Sequence, residues 1–120
     1  MVAKRHTESN EQIAVIDWIR LQHPRVAECT IHIGNERKSS YYAGYIMKRM
    51  GVLSGASDLF IAWPNAEFHG LFIEMKSLTG KPSDNQLTFT KRMIEKGYYA
   101  CFCYGADDAI QVITWYLSQP

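Results

Sequence analysis

The chain has 120 residues, is 47% hydrophobic and sets 13 Lys and Arg against 12 Asp and Glu, a formal net charge of +1. That length and apolar content suit a single domain over residues 1–120 with one real core, and the near balance of charge argues neither for nor against a polyanionic partner. Three cysteines fit a reducing cytosol better than a disulfide framework, and no stretch has signal-peptide or membrane-spanning character, so a soluble, cytoplasmic protein with no membrane partner is expected.

Residues 9–22 are predicted as a first helix, with Ile13, Val15, Ile16, Trp18 and Ile19 making a broad apolar face. Ser9 and Gln12 have capping-box spacing, and Thr7 is a competing cap that would start the helix two residues earlier. Pro24 ends the pattern, and the alternation over 26–33 predicts a first strand. A polar loop from Gly34 leads to a second helix over 39–50, capped by Ser39 and closed by Gly51. Apolar runs at 59–63 and 71–76, separated by the turn cluster 64–70, read as a hairpin. Ser83 and Gln86 again match a capping box and open a third helix that stops at Gly97. Residues 98–104 form a fourth strand, where Cys101 and Cys103 share a face as small core residues. A last helix starts at Ala106 or Asp107, with Ile110, Ile113 and Leu117 on one side. This order gives an α/β fold with a single mixed sheet flanked by helices.

The charges gather where two of these strands meet. Asp58 follows the small-residue approach Gly51-Val52-Leu53-Ser54-Gly55-Ala56-Ser57 and precedes one strand, while Glu74-Met75-Lys76 ends the next. Residues two apart in a strand share a face, so Glu74 and Lys76 point one way with Phe72, while Leu71, Ile73 and Met75 point into a core. An antiparallel pairing puts Asp58 opposite about Met75, open by one in register, and brings its carboxylate near Glu74. Two carboxylates that close repel one another unless positive charge lies between them. A Mg²⁺ or Mn²⁺ ion would supply it with help from Lys76, and the backbone carbonyl of Met75 offers a further oxygen ligand. The plain alternative is a hairpin ending in a surface salt bridge. The added Asp, the glycine-rich approach and Gln86 shift the weight toward a metal-dependent nuclease.

The ordered set Gly51-Val52, Gly55, Asp58-Leu59-Phe60, then Gly70-Leu71-Phe72-Ile73-Glu74-Met75-Lys76, then Gln86, Gly97-Tyr98 and Cys103-Tyr104-Gly105-Ala106-Asp107 resembles the VRR-NUC family. This is the virus-type replication-repair nuclease branch of the PD-(D/E)xK superfamily, and the resemblance runs from the first helix to Leu117. It implies a restriction-endonuclease-like αβββαβ core, with the helix at 39–50 as an insertion, and divalent-metal-dependent hydrolysis of DNA. It further implies a stand-alone member similar to Holliday junction resolvases, of prokaryotic or phage type and acting as a homodimer. Carried onto this chain, Asp58 and Glu74 would be metal ligands, and Lys76 would orient or deprotonate the attacking water or stabilise transition-state charge. Gln86 would position water or the lysine, or serve only as the capping partner of Ser83. The family also places an acidic residue on the first helix: Glu8 is preferred, with Glu11 as its rival. Two departures stand out: Ala56-Ser57 replaces the family's Val-Pro, and Gly34 replaces the proline of an Ile-Pro-Asn loop, so that His32 and Asn35 could reach substrate, with a structural role as the preferred alternative for each.

For DNA contacts the candidates are Lys38, Lys48, Arg49 and Lys81, which lie on segments flanking the charged strand ends. The second helix carries Tyr41, Tyr42, Tyr45, Ile46, Met47 and Met50, an excess of apolar surface that suits a dimer interface, or else a cap on the chain's own core. The expectation is a structure-selective endonuclease that nicks four-way junctions. Its rivals are flap, nicking or exonuclease activity without junction preference, a non-catalytic DNA-binding module of the same fold, and an unrelated metal-independent enzyme using Lys76 or a cysteine.

Overall fold

A computed structural model of the chain describes residues 8–34 and 40–120. Helix α1, Glu8–Gln22, buries Val15 and Ile19, which lie four apart and so one above the other on the same face. It begins at Glu8, which puts Ser9 inside the first turn rather than at the predicted cap; Thr7 lies outside the described residues. Helix α2, Pro24–Ala27, starts on proline, whose missing N–H is no loss in a first turn. It takes the beginning of the stretch expected to be strand, leaving strand β1 only Thr30–His32. The Thr30 hydroxyl donates to the Val26 carbonyl at 2.8 Å and ties the strand back to α2. Helix α3, Tyr41–Arg49, is capped by Ser40, whose side chain accepts from the Ala43 N–H; the expected cap, Ser39, lies outside the described residues.

Strands β2, Leu59–Ile61, and β3, Leu71–Lys76, form the predicted hairpin, with β2 two residues shorter than its apolar run. Helix α4, Asp84–Glu95, has the predicted capping box of Ser83 and Gln86 in full. It crosses to strand β4, Tyr99–Tyr104, and helix α5, Ala106–Ser118, closes the fold. The sheet order is β1-β2-β3-β4, with the first two pairings antiparallel and β3–β4 parallel. A parallel pair needs a long crossover, and α4 supplies it.

Helices α1 and α5 cover one face of the sheet, around Leu59, Ile61, Leu71, Ile73, Met75, Ile113 and Tyr116. On the other face α4 packs through Phe89 against Phe72 and Ala100. Every residue of β3 is therefore buried, Glu74 and Lys76 included. The charged strand end therefore belongs to a central strand, with β2 on one side and β4 on the other. The register, open by one from the sequence, is fixed by Leu59 pairing with Ile73, so Asp58 falls level with Glu74, within one residue of Met75.

Helix α3 stands apart from these layers. Tyr41 is 94% exposed, Tyr42 70% and Met50 78%, so these side chains do not cap the chain's own core. Cys103 is buried and its sulfur lies 3.8 Å from that of Cys101, which is half-buried, in keeping with a packing role for both. Among the described residues no helix is long and apolar enough to cross a membrane.

The approach to Asp58 is set by Gly55. Its φ is +88°, and a Cβ there would stand 2.4 Å from the backbone of Asn85 at the start of α4. Only glycine allows both the left-handed turn and that contact. Two residues on, the Ser57 hydroxyl is buried and has no hydrogen-bond partner among the described residues. Gly55→Ala should lower stability by about 2 kcal/mol or more. Ser57→Ala, which removes an unsatisfied hydroxyl, should be neutral or stabilise by up to about 1 kcal/mol. Thermal melts of the two variants check the pair.

Candidate active site

Asp58 reaches the site because it immediately precedes β2, where the chain has just left the Gly55 turn. Its carboxylate accepts from the Met75 N–H at 2.7 Å, and its carbonyl accepts from the Ile33 N–H at 2.8 Å. Strand alternation aims Glu74 to the α4 face, where it is only 4% exposed. There it meets three charged neighbours. Asp58 hydrogen-bonds it side chain to side chain, Lys76 Nζ lies 3.9 Å from Glu74 Oε2, and Glu8 is near enough for its charge to act.

Burial and the Asp58 carboxylate, reinforced by their mutual hydrogen bond, push the Glu74 carboxyl from its ordinary 4.5 up to about 8. Lys76 pulls the other way and loses. At neutral pH the pair therefore holds a proton in place of a second negative charge. Cys103 is also shifted upward, through its hydrogen bond with Cys101 and by burial, consistent with core packing.

Gln86 serves two neighbours at once. Its Oε1 accepts from the Ser83 N–H at 2.9 Å, closing the capping box, while its Nε2 donates to Glu74 Oε2 at 3.2 Å. Capping Ser83 and facing the site are thus compatible, because a primary amide has an acceptor at one end and donors at the other, and the site group it meets is Glu74. The cap fixes where the amide points.

The two acidic candidates on α1 have different neighbours. Glu11 Oε2 accepts from the Ala106 N–H at 2.6 Å, at the open N-terminus of α5. Glu8, one turn earlier, adds to the negative field at Glu74. Of the basic candidates, Lys81 is exposed in the loop leading from Lys76 to α4, and Lys48 and Arg49 are exposed in the last turn of α3. Arg49 donates to the Tyr45 hydroxyl and lies over its ring. Lys38 and Asn35 fall outside the described residues. Lys48 also lines a cleft of about 750 Å³ between α3 and α4, across from Arg92. Arg92 is not among the candidates from the sequence, because the spacing of Lys91-Arg92 does not say which of the two turns toward α3. His32 was not singled out as a partner of Asp58, since that contact joins positions 26 residues apart.

An oxygen-only donor set with surplus negative charge suits a hard divalent cation. Asp58 and Glu74 bring two carboxylates together, and among the described residues Lys76 is the base beside them. Among the described residues no three His, Cys, Asp or Glu side chains cluster closely enough to enclose a metal ion by themselves. The residues present therefore fit an ion held by few protein oxygens and completed by water or phosphate, the usual habit of Mg²⁺.

Comparison with known proteins bears on this arrangement. Residues 2–107 match the family described as the VRR-NUC domain. A solved structure titled "VRR_NUC domain protein" superposes with a TM-score of 0.83 at 29% identity, covering 98% of this chain and 93% of the other. No curated protein shows significant similarity.

The raised carboxyl gives a stability prediction with a definite sign. The folded protein binds Glu74's proton more tightly than the unfolded chain, so stability present below about pH 4.5 is lost as pH rises toward about 8. Glu74→Gln keeps the amide-like hydrogen bonds and removes the ionisation. In chelator at pH 8.5 it should melt about 5 °C above the parent chain, and at pH 4.5 the two should nearly coincide. Equal melting temperatures at both pH values would contradict the shift.

Proposed function

The chain belongs to the VRR-NUC family, and on that footing we propose that it is a divalent-metal-dependent, structure-selective DNA endonuclease, cutting branched DNA such as four-way junctions as a homodimer. The observation that carries the reading is the buried, proton-sharing pair of Asp58 and Glu74 beside Lys76. A structural ion pair would match one acid with one base. Here two acids are forced together, which raises Glu74 despite the lysine, and that imbalance is what a cation would relieve.

In this reading Asp58 and Glu74 hold Mg²⁺ or Mn²⁺, with Glu8 and the Met75 carbonyl as further oxygens. The ion would supply Lewis-acid stabilisation of the phosphate and a water of lowered pKa. Lys76, 8% exposed, offers an ammonium at a fixed place beside Glu74, suited to orienting the nucleophile and balancing charge at the scissile phosphate. Gln86 holds Glu74 in its orientation from the rigid first turn of α4. The exposed Lys48, Arg49 and Lys81 provide phosphate contacts, as would Lys38. Exposed Tyr41, Tyr42, Tyr45 and Met50 on α3 have the chemistry of an interface core and support pairing of two copies there. Two copies would bring two sites to one junction, inside a reducing compartment that keeps the cysteines as thiols.

The test uses labelled four-way junction, flap and linear duplex DNA, each with Mg²⁺ and with chelator, and the variants Glu74→Ala and Lys76→Ala. Symmetric junction nicks that need the metal, and fall at least about 100-fold in both variants, are expected. Cleavage in chelator, or full activity in either variant, would sink the metal mechanism; flap trimming alone would move the substrate assignment; binding without cleavage would indicate a non-catalytic module. In light scattering the parent chain should run as a dimer and Tyr41→Glu/Tyr45→Glu as a monomer.

A further inference from the structure

A second group of residues meets Asp58 on the side away from Glu74. His32, the last residue of β1, places Nδ1 3.1 Å from the Asp58 carbonyl oxygen, and the same Nδ1 lies 3.1 Å from Nε2 of Gln12 on α1. One ring nitrogen cannot donate and accept at the same time. A lone pair on Nδ1 would face the lone pairs of the Asp58 carbonyl, an unfavourable contact. A hydrogen there makes a bond, and it requires only that the Gln12 amide turn to present its oxygen, an orientation fixed by hydrogen bonding alone.

We propose that His32, oriented by Gln12, is a positioning residue for Asp58: its Nδ1–H holds the main-chain carbonyl so that the carboxylate stays turned toward Glu74. This rests on the nuclease reading of Asp58 and deepens it. Asp58 precedes β2 and lies just beyond its ladder with β3, which begins with Leu59 and Ile73. Beside its contact with Glu74, it is held in place of a ladder by Ile33 N–H and His32 Nδ1–H on the carbonyl and by Met75 N–H on the carboxylate. The first two come from the end of β1, a strand of only three residues at the border of the sheet. Without the imidazole, Asp58 loses one of its two carbonyl anchors. His32 is exposed, so replacing it opens no cavity, and the effect falls on the site rather than the core.

Partners that orient a metal-binding carboxylate typically change metal affinity by about 10–100-fold when removed. The experiment measures the Mg²⁺ concentration for half-maximal cleavage of a four-way junction by the full chain, for His32→Ala and for His32→Asn, with melting temperatures alongside. Asparagine places an N–H donor close to the position of Nδ1. His32→Ala should need about tenfold more Mg²⁺ while melting within a few degrees of the parent, and His32→Asn should return to within about twofold. A ¹⁵N spectrum of the neutral imidazole should show the hydrogen on Nδ1. Unchanged Mg²⁺ dependence in His32→Ala, equal impairment of both variants, or a hydrogen on Nε2 would each overturn the proposal. If the parent chain cuts no DNA with any divalent metal, the nuclease reading fails, and the imidazole spectrum still decides whether Nδ1 donates to Asp58.

Discussion

Two carboxyl groups pressed together at the buried end of a central strand are the constraint around which the rest of this molecule is arranged. Asp58 and Glu74 share a hydrogen bond where water is scarce, and Lys76 at 3.9 Å does not offset their combined charge. Isolated, such a pair would be relieved by the small movement that separates the strands. It persists because each carboxyl is held from behind. The Met75 N–H grips Asp58, and the Gln86 amide grips Glu74. Strain of this kind is tolerated in proteins where surrounding structure over-determines it, and it is concentrated at functional sites.

The supports come from parts of the chain that look unrelated to one another. Gly55 lets the approach to Asp58 pass against the first turn of α4, and that same turn carries Gln86. The capping box therefore does more than begin a helix: it fixes an amide between the Ser83 backbone and a buried carboxyl. On α1, Glu11 caps the start of α5, and the charge of Glu8 is felt at Glu74. Each of these hydrogen bonds is worth about 1 kcal/mol on its own. Their importance is geometric, since together they leave the two carboxyls no other place to go.

Much of this was legible from residue order. The capping box at Ser83 and Gln86, the alternation of 71–76 and the element order all follow from local rules, and local rules hold where a segment's own pattern is strong. The misjudged elements lie where tertiary contacts compete with pattern. Val26 reads as strand by its β-branched side chain, but Pro24 favours a helical turn and Val26 buries against the α1 layer from there. Ser9 has the spacing of a cap, yet the helix already runs at Glu8. The hairpin register was open by one because a seven-residue turn cluster does not determine it, whereas the packing of Leu59, Ile61, Leu71 and Ile73 into one core does.

What the sequence determined alone was the inventory: an α/β chain, a small-residue turn, two carboxylates, a lysine and a glutamine in an order that carries its family. Those are properties of residue type and spacing, and they survive without coordinates. The tertiary structure decided how the inventory is connected. It put the charged strand end on a strand buried on both faces, set Glu11 at a helix end, and brought His32 to Asp58 across 26 residues of chain. The physical reason is common to all three. Burial and hydrogen bonding between distant segments depend on which faces meet, and period and composition say which face a residue lies on without saying what will lie against it.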